Sequence, residues 1–181
     1  MKNGLKKIII LAVVSVLSVS VFTSCGTKTG STGNTGTANT ENESENICTL
    51  SVKCDVLIDK KADAPKELTA FIPDDGVIFY SDEAVFDEGD SVFDLLKKSL
   101  TDAGILFEYE STPAYGSAYI EGINNIYEFD FGSGSGWMYK VNGEFPKTGC
   151  SKYILSGGDV VEWVYTCDFG NDVGGGDAVE E

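Results

Sequence analysis

The sequence predicts an α+β domain built mostly of strands, with one helix packed on one face of a sheet. Three stretches predict it. Residues 47–58, ICTLSVKCDVLI, alternate apolar and polar side chains with the period of a half-buried strand. Residues 90–104, DSVFDLLKKSLTDAG, carry a single helical stripe between a start and a stop signal. Residues 159–167, DVVEWVYTC, return to alternation.

In the first stretch Cys48, Leu50, Val52, Cys54, Val56 and Ile58 share one face, and Thr49, Ser51, Lys53 and Asp55 the other. GVIFY and AVFDE read as two short strands, bounded by the turn formers PDDG and DEGD. Asp74-Asp75-Gly76 is therefore a turn before it is a pair of catalytic carboxylates. In the helix Asp90 or Ser91 can cap, Val92, Leu95, Leu96 and Leu100 form the apolar stripe, and Gly104 stands at the C-terminal stop. ILFEYE and SAYIEGI follow as strands. GWMYKVNGEF reads as a hairpin about Asn142-Gly143, a pair that tolerates positive φ at both turn positions. In the last strand Val161, Trp163, Tyr165 and Cys167 share a face.

The ends have a different character. Lys2, Lys6 and Lys7 precede an apolar run from Ile8 to Phe22, and Thr23-Ser24-Cys25 supply small residues at a cut site, the layout of an export signal. As a helix the run would rise about 22 Å, short of a membrane span. The placement of Cys25 resembles a bacterial lipoprotein signal, which implies cleavage before the cysteine and a lipid on its sulfur. Phe22 departs from the leucine usual three residues before that cysteine. Residues 25–46 are then a Gly/Thr/Asn/Ser/Glu tether, too poor in apolar side chains to offset its backbone entropy. The domain is expected over 47–170, and residues 171–181 as a disordered acidic tail. The expected location is the extracellular face of the cell membrane, held by the lipid alone.

All 13 basic residues are lysine, and residues 47–170 hold 9 of them against 22 acids, a net charge of −13. That balance excludes nucleic acid and anionic headgroups as ligands and otherwise serves solubility. The chain has no histidine, which removes the usual general base, and no Ser-Lys pair or carboxylate dyad stands in a defined context. The expectation is a binding protein, not an enzyme, with no resident cofactor. With Cys25 assigned to lipid, Cys48, Cys54, Cys150 and Cys167 are an even set in an oxidising compartment and are disulfide candidates with three pairings. Zinc is the rival reading, weakened by the lack of histidine and of any C-x-x-C.

From Gly89 to the last strand the segments GDSVFDLLKKSL, PAYGSAYIEGINNI, GWMYKVNG and GCSKYILSGGDVVEWVYT occur in the order and at the spacing of the C-terminal domain of the animal cobalamin carriers, transcobalamin and intrinsic factor. The chain resembles that domain, and more closely a family of bacterial surface lipoprotein domains of unknown function with SGWMYKVNG and EWVYTC signatures. The resemblance covers about two thirds of the mature domain. It implies a β-grasp-like, mostly antiparallel sheet whose first and last strands are parallel neighbours. Through that arrangement it also implies Cys54 near Cys167 and Cys48 near Cys150, since a disulfide needs Cα atoms within about 7 Å.

The stretch GSGSGWMYKVNGEFP can be read three ways. A phosphate loop should feed a helix, and this one feeds a hairpin. A calcium turn would draw on Glu128 and Asp130, placed on one strand face, or on Asp168, Asn171 and Asp172, but neither set has a known loop spacing. As a hairpin it puts Trp137, Tyr139 and Val141 on one face, either as ordinary core or as a ligand surface, and Met138 and Lys140 on the other. The resemblance implies the ligand surface. Carried over by position, the lining comes from Tyr115, Gly116 and Ser117, from Trp137 and Tyr139, and from Asn142, Phe145 and Pro146. The implied ligand is cobalamin or another corrinoid, taken up or handed to a transporter. The carriers close their ligand against a large helical domain that this chain lacks, so a second protein or a second copy is expected to complete the site. The competing expectation is a protein interaction module presenting the hairpin and a sheet edge to another surface protein.

Overall fold

The computed structural model describes residues 46–111 and 116–178. The expected signal at 1–24, Cys25, almost all of the tether and Tyr115 lie outside those residues.

Among the described residues seven strands and one main helix make an α+β fold. Strands β1 (Ile47–Lys53), β2 (Val77–Val85), β6 (Gly136–Val141) and β7 (Val160–Thr166) form a four-stranded sheet in the order β2-β1-β7-β6. The first and last strands are parallel neighbours, with Thr49 opposite Val160 and Lys53 opposite Val164, and both flanking pairs are antiparallel. Strands β3 (Phe107–Ser111), β4 (Ala118–Ile123) and β5 (Ile126–Tyr127) form a smaller antiparallel sheet. The short α1 (Lys66–Thr69) crosses between β1 and β2 in the chain, and α2 (Val92–Asp102) follows β2.

Helix α2 starts where its sequence says. Ser91 is the N-cap, and its hydroxyl and the Asp94 carboxylate close a reciprocal capping box. Val92, Leu95, Leu96 and Leu100 are fully buried and share one core with Leu50, Val52, Val161, Trp163 and Tyr165 of the sheet. Each such side chain contributes about 1.5–3 kcal/mol through burial. Gly104 follows the helix at φ +67, the left-handed conformation expected of a stop.

Several expected elements differ. The first strand ends at Lys53, not Ile58, because Cys54 turns out of the sheet and its N–H donates to the Gly76 carbonyl, after which Asp55–Leu57 wind into a 3-10 turn. Gly76 lies so close to this turn that a Cβ there would stand 2.6 Å from Asp55 Cα. GVIFY and AVFDE are not two strands: they merge into β2, which follows β1 throughout by means of two register shifts. Asn142 (φ +54) and Gly143 (φ +84) make the expected tight turn, closed by paired bonds between Val141 and Glu144, but no strand follows, and β6 pairs with β7 instead. Glu128 and Asp130 lie in a turn after β5, not on a strand face.

Residues 171–178 of the acidic end are folded, against the expectation of a disordered tail over 171–181; 179–181 lie outside the described residues. Asn171–Val173 and Gly176–Ala178 are 3-10 turns. The Asp172 carboxylate accepts from Thr166 Oγ1 and from the Cys167 N–H, while Thr166 Oγ1 accepts from Gly170 N. These local polar bonds order the segment where no apolar pattern announced it.

The expected disulfides are also absent. All four cysteines of the described residues are free thiols. The parallel register carries Cys54 past Val164 toward Tyr165, and Cys167 lies beyond the strand end after the chain has already turned at Asp55. Cys48 Sγ donates to the Ala84 carbonyl and Cys150 Sγ to the Ala118 carbonyl, so each thiol is occupied by its own strand neighbourhood.

Candidate functional site

The expected ligand-lining residues do not gather into one cleft. Trp137 is core: it is 8 % exposed, its indole N–H donates to the Ile126 carbonyl at 2.9 Å, and its ring meets Tyr165 edge-on at 5.2 Å. β6 turns its Trp137 face onto β4 and β5, which cover it. The Tyr139 ring lies between Trp163 and Tyr153, and its hydroxyl donates to the Thr148 carbonyl. Burial pushes that phenol well above the usual range. Asn142 joins the turn to β7, donating to Asp159 and accepting from Val160 N.

Gly116 and Ser117 meet the segment ahead of β7. Ser117 Oγ lies 2.8 Å from Ser151 Oγ, and Gly149 packs so tightly on Ser117 that a side chain would not fit. Phe145 and Pro146 border two shallow clefts of about 190 and 250 Å³, both shared with the folded C-terminal segment around Asp177 and Ala178. Lys140 Nζ stands over the Phe145 ring at 5.1 Å, and Gly175 packs on the other part of that ring. Of the expected set, then, Gly116 lies against Lys152, Ser117 and Tyr139 meet residues 148–151, Phe145 and Pro146 meet the C-terminal segment, and Asn142 and Trp137 have structural partners of their own.

A different surface emerges around the glycine loop. Residues 133–136, SGSG, do not hold phosphate at a helix; they line an aromatic cleft of about 300 Å³. Tyr119, Phe129, Met138 and Phe169 line it with one edge of Trp137. Phe129 is 62 % exposed and Phe169 is 53 % exposed. Both take left-handed backbone, φ +67 and φ +49, where a bulky side chain is an outlier costing on the order of 1–3 kcal/mol. The loop holds each of them there. Phe129 N–H donates to the Ser135 carbonyl at 3.1 Å and Phe169 N–H to the Gly134 carbonyl at 2.8 Å. Gly134 must lack a side chain, since its Cβ would stand 2.7 Å from the Phe169 ring.

Buried groups fasten the loop from below. The Tyr165 hydroxyl donates to the Tyr127 carbonyl at 2.7 Å and lies 3.0 Å from Ser135 Oγ, which in turn donates to the Gly132 carbonyl and accepts from Phe131 N. Burial raises the Tyr165 pKa strongly, so the phenol stays a donor. The Tyr119 hydroxyl donates to Glu128 at the cleft rim. Sequence reasoning missed Phe129 and Phe169. The only local signal was an aromatic residue beside each glycine-rich turn, and that does not say which way the ring faces.

Among the described residues no group of three or more His, Cys, Asp or Glu side chains could hold a metal ion. The thiols are poor nucleophiles. Burial, with Asp159 adding to it, pushes Cys48 up to about 11; burial raises Cys54 to about 12 and Cys150 to about 11, and it raises Cys167 as well.

The fold and the cleft together define a small mixed-sheet α+β domain with an exposed aromatic cleft lined in part by a glycine loop. Residues 89–167 match the family described as Domain of unknown function (DUF4430), the segment on which the resemblance in sequence rests. No curated protein matches the chain in sequence. Among solved structures, haptocorrin in complex with Cbi is similar at 12 % identity and a TM-score of 0.48, over 66 % of this chain and 24 % of haptocorrin. A candidate metal-binding protein from Ruminococcus gnavus ATCC 29149 is similar at 15 % identity and a TM-score of 0.41, over 67 % of this chain and 97 % of that one. The chain thus spans about a quarter of haptocorrin's length, and both likenesses are distant.

Proposed function

We propose that this chain is an exported lipoprotein whose folded domain binds a small molecule in the aromatic cleft. One observation carries the reading: Phe129 and Phe169, far apart in sequence, are both exposed and both held in costly backbone by the same glycine loop. Strain of that kind persists only where surrounding structure enforces it, and two rings presented at one cleft offer large contact area at little entropy cost. The raised thiols and the lack of histidine favour binding over catalysis.

The ligand class indicated by the sequence resemblance is a corrinoid. A cleft of about 300 Å³ would hold one edge of so large a ring, and a transporter, a second surface protein or a second copy would cover the rest. Calorimetric titration of the purified chain with cobalamin and related corrinoids tests this. Saturable heat that is lost with Phe169→Asn supports a corrinoid at the cleft; no heat with any corrinoid overturns that assignment.

The location proposed is the extracellular face of the membrane, through lipid on Cys25. Cys25→Ala should release the protein or leave its precursor uncut, and a processed, lipid-labelled Cys25→Ala form would refute the anchor. A second reading, a protein interaction module, is favoured by β2, which forms one edge of its sheet and exposes Tyr80 at 61 % along with Val85. Loss of a surface partner in Tyr80→Asp, with a cleft silent to small molecules, would select it.

A further inference from the structure

We propose that the aromatic cleft selects a small organic cation of the quaternary-ammonium type in place of the corrinoid, an inference that rests on the ligand-binding reading above and not on the ligand class taken from the resemblance. The lining combines aromatic side chains and a thioether, from Tyr119, Phe129, Trp137, Phe169 and Met138, with the hydroxyls of Ser133, Ser135 and Thr166, and none of its residues is charged. Such a surface offers no carboxylate to a metal ion or to a strongly hydrated primary ammonium. An alkylated ammonium is different. It sheds water easily and is held by the negative faces of aromatic rings, at about 0.5–1 kcal/mol per exposed ring and about 2 where desolvated.

The charges behind the lining have one sign. The two stretches that carry the cleft lining, 119–138 and 166–169, contain Glu121, Glu128, Asp130 and Asp168 and no lysine. Glu128 is held at the rim by the Tyr119 hydroxyl, and Asp168 immediately precedes Phe169. The lysine of β6, Lys140, leans on Phe145, outside the cleft lining. Lys60, whose charge reaches Cys167, lines a separate cleft with Asp59, Asp63 and Asp130. A cation entering the cleft therefore meets an attractive field, an anion a repulsive one, and a neutral apolar solute only the contact area. The volume of about 300 Å³ suits a trimethylammonium head on a short chain. Free solutes and phosphocholine lipids share that chemistry, and binding to vesicles against binding to free choline distinguishes them.

The test titrates the purified chain with choline and with tetramethylammonium, followed by NMR shifts and tryptophan fluorescence, beside the neutral isostere 3,3-dimethylbutan-1-ol. The expected result is saturable binding of both cations, at least about tenfold tighter than the neutral alcohol, a factor equal to about 1.4 kcal/mol. The shifts should centre on Phe129, Trp137 and Phe169. Phe129→Asn combined with Phe169→Asn should abolish binding with the circular dichroism unchanged, because Asn accepts left-handed backbone. If that double variant fails to fold, Phe169→Asn alone and the wild-type shift map serve the same purpose. Equal binding of the neutral alcohol would overturn the cation and leave the ligand-binding reading standing. Binding to phosphatidylcholine vesicles without binding to free choline would overturn the small-molecule cation. Silence toward cations, alcohol and corrinoids alike would overturn both.

Discussion

Two tryptophans of similar burial have opposite hydrogen-bond situations. Trp137 Nε1 is paired with the Ile126 carbonyl, whereas Trp163 Nε1, in a residue 2 % exposed, is the one fully enclosed side-chain nitrogen or oxygen among the described residues without a partner. Removing one member of a buried pair strands the other, at about 1–3 kcal/mol, while removing an unpaired donor strands nothing. Trp137→Phe should therefore destabilise more than Trp163→Phe, even though Trp163 is the more buried, and urea midpoints of the two variants measure it. Trp137→Ala should cost about 3–5 kcal/mol, the range for a core aromatic. A loss below about 1 kcal/mol would return Trp137 to the ligand-facing role that the resemblance implied. Tyr165 resembles Trp137 in this respect, since its hydroxyl serves both Tyr127 and the Ser135 that shapes the loop.

At the scale of elements the chain uses local polar bonds where apolar patterning stops. Ser91 and Asp94 set the start of α2, and Thr166 and Asp172 fold the segment after β7. Ser91→Ala should lower stability by about 1 kcal/mol, the usual worth of an N-cap, while leaving the cleft intact; a thermal melt read beside ligand titration separates the two effects. Gly134→Ala is the converse case. The added methyl would meet the Phe169 ring, so it should displace that ring and weaken cleft binding at small cost in stability. Binding unchanged in Gly134→Ala would show that Phe169 takes no part.

Over the whole molecule the buried thiols couple stability to alkaline pH. Cys48, Cys54 and Cys150 ionise at about 11, 12 and 11 when folded, against an ordinary 9.0, because burial disfavours the thiolate. Below about pH 9 both states are protonated and nothing is lost. Above it the unfolded chain releases protons first, so stability falls as pH rises from about 9 toward 12. Each thiol removes about 1.4 kcal/mol for every pH unit over which it is ionised in the unfolded chain and still protonated in the folded one. The buried phenols of Tyr139 and Tyr165 act in the same direction. Urea midpoints between pH 8 and 11 should decline steadily, and Cys54→Ala should make the decline shallower. A midpoint constant across that range would mean that the thiols are not buried as described.

The sequence by itself determined the elements whose cause is local. Alternation placed β1 and β7, the stripe Val92, Leu95, Leu96 and Leu100 placed α2, Asp90 or Ser91 its start, and Asn142-Gly143 a tight turn, because period, capping and left-handed backbone are properties of a few consecutive residues. Parallel pairing of β1 with β7 was legible through the ordered motifs of the resemblance, not from either strand alone. Tertiary structure alone decided three things. Pairing of β6 with β7 and cover from β5 put Trp137 inside; the turn at Cys54 kept that thiol from Cys167; and the cleft drew Tyr119, Phe129, Trp137 and Phe169 from separate segments onto one loop. A side chain's exposure depends on what packs over it from far along the chain, and the left-handed backbone of Phe129 and Phe169 runs against local preference, so only contacts made in the folded molecule hold it.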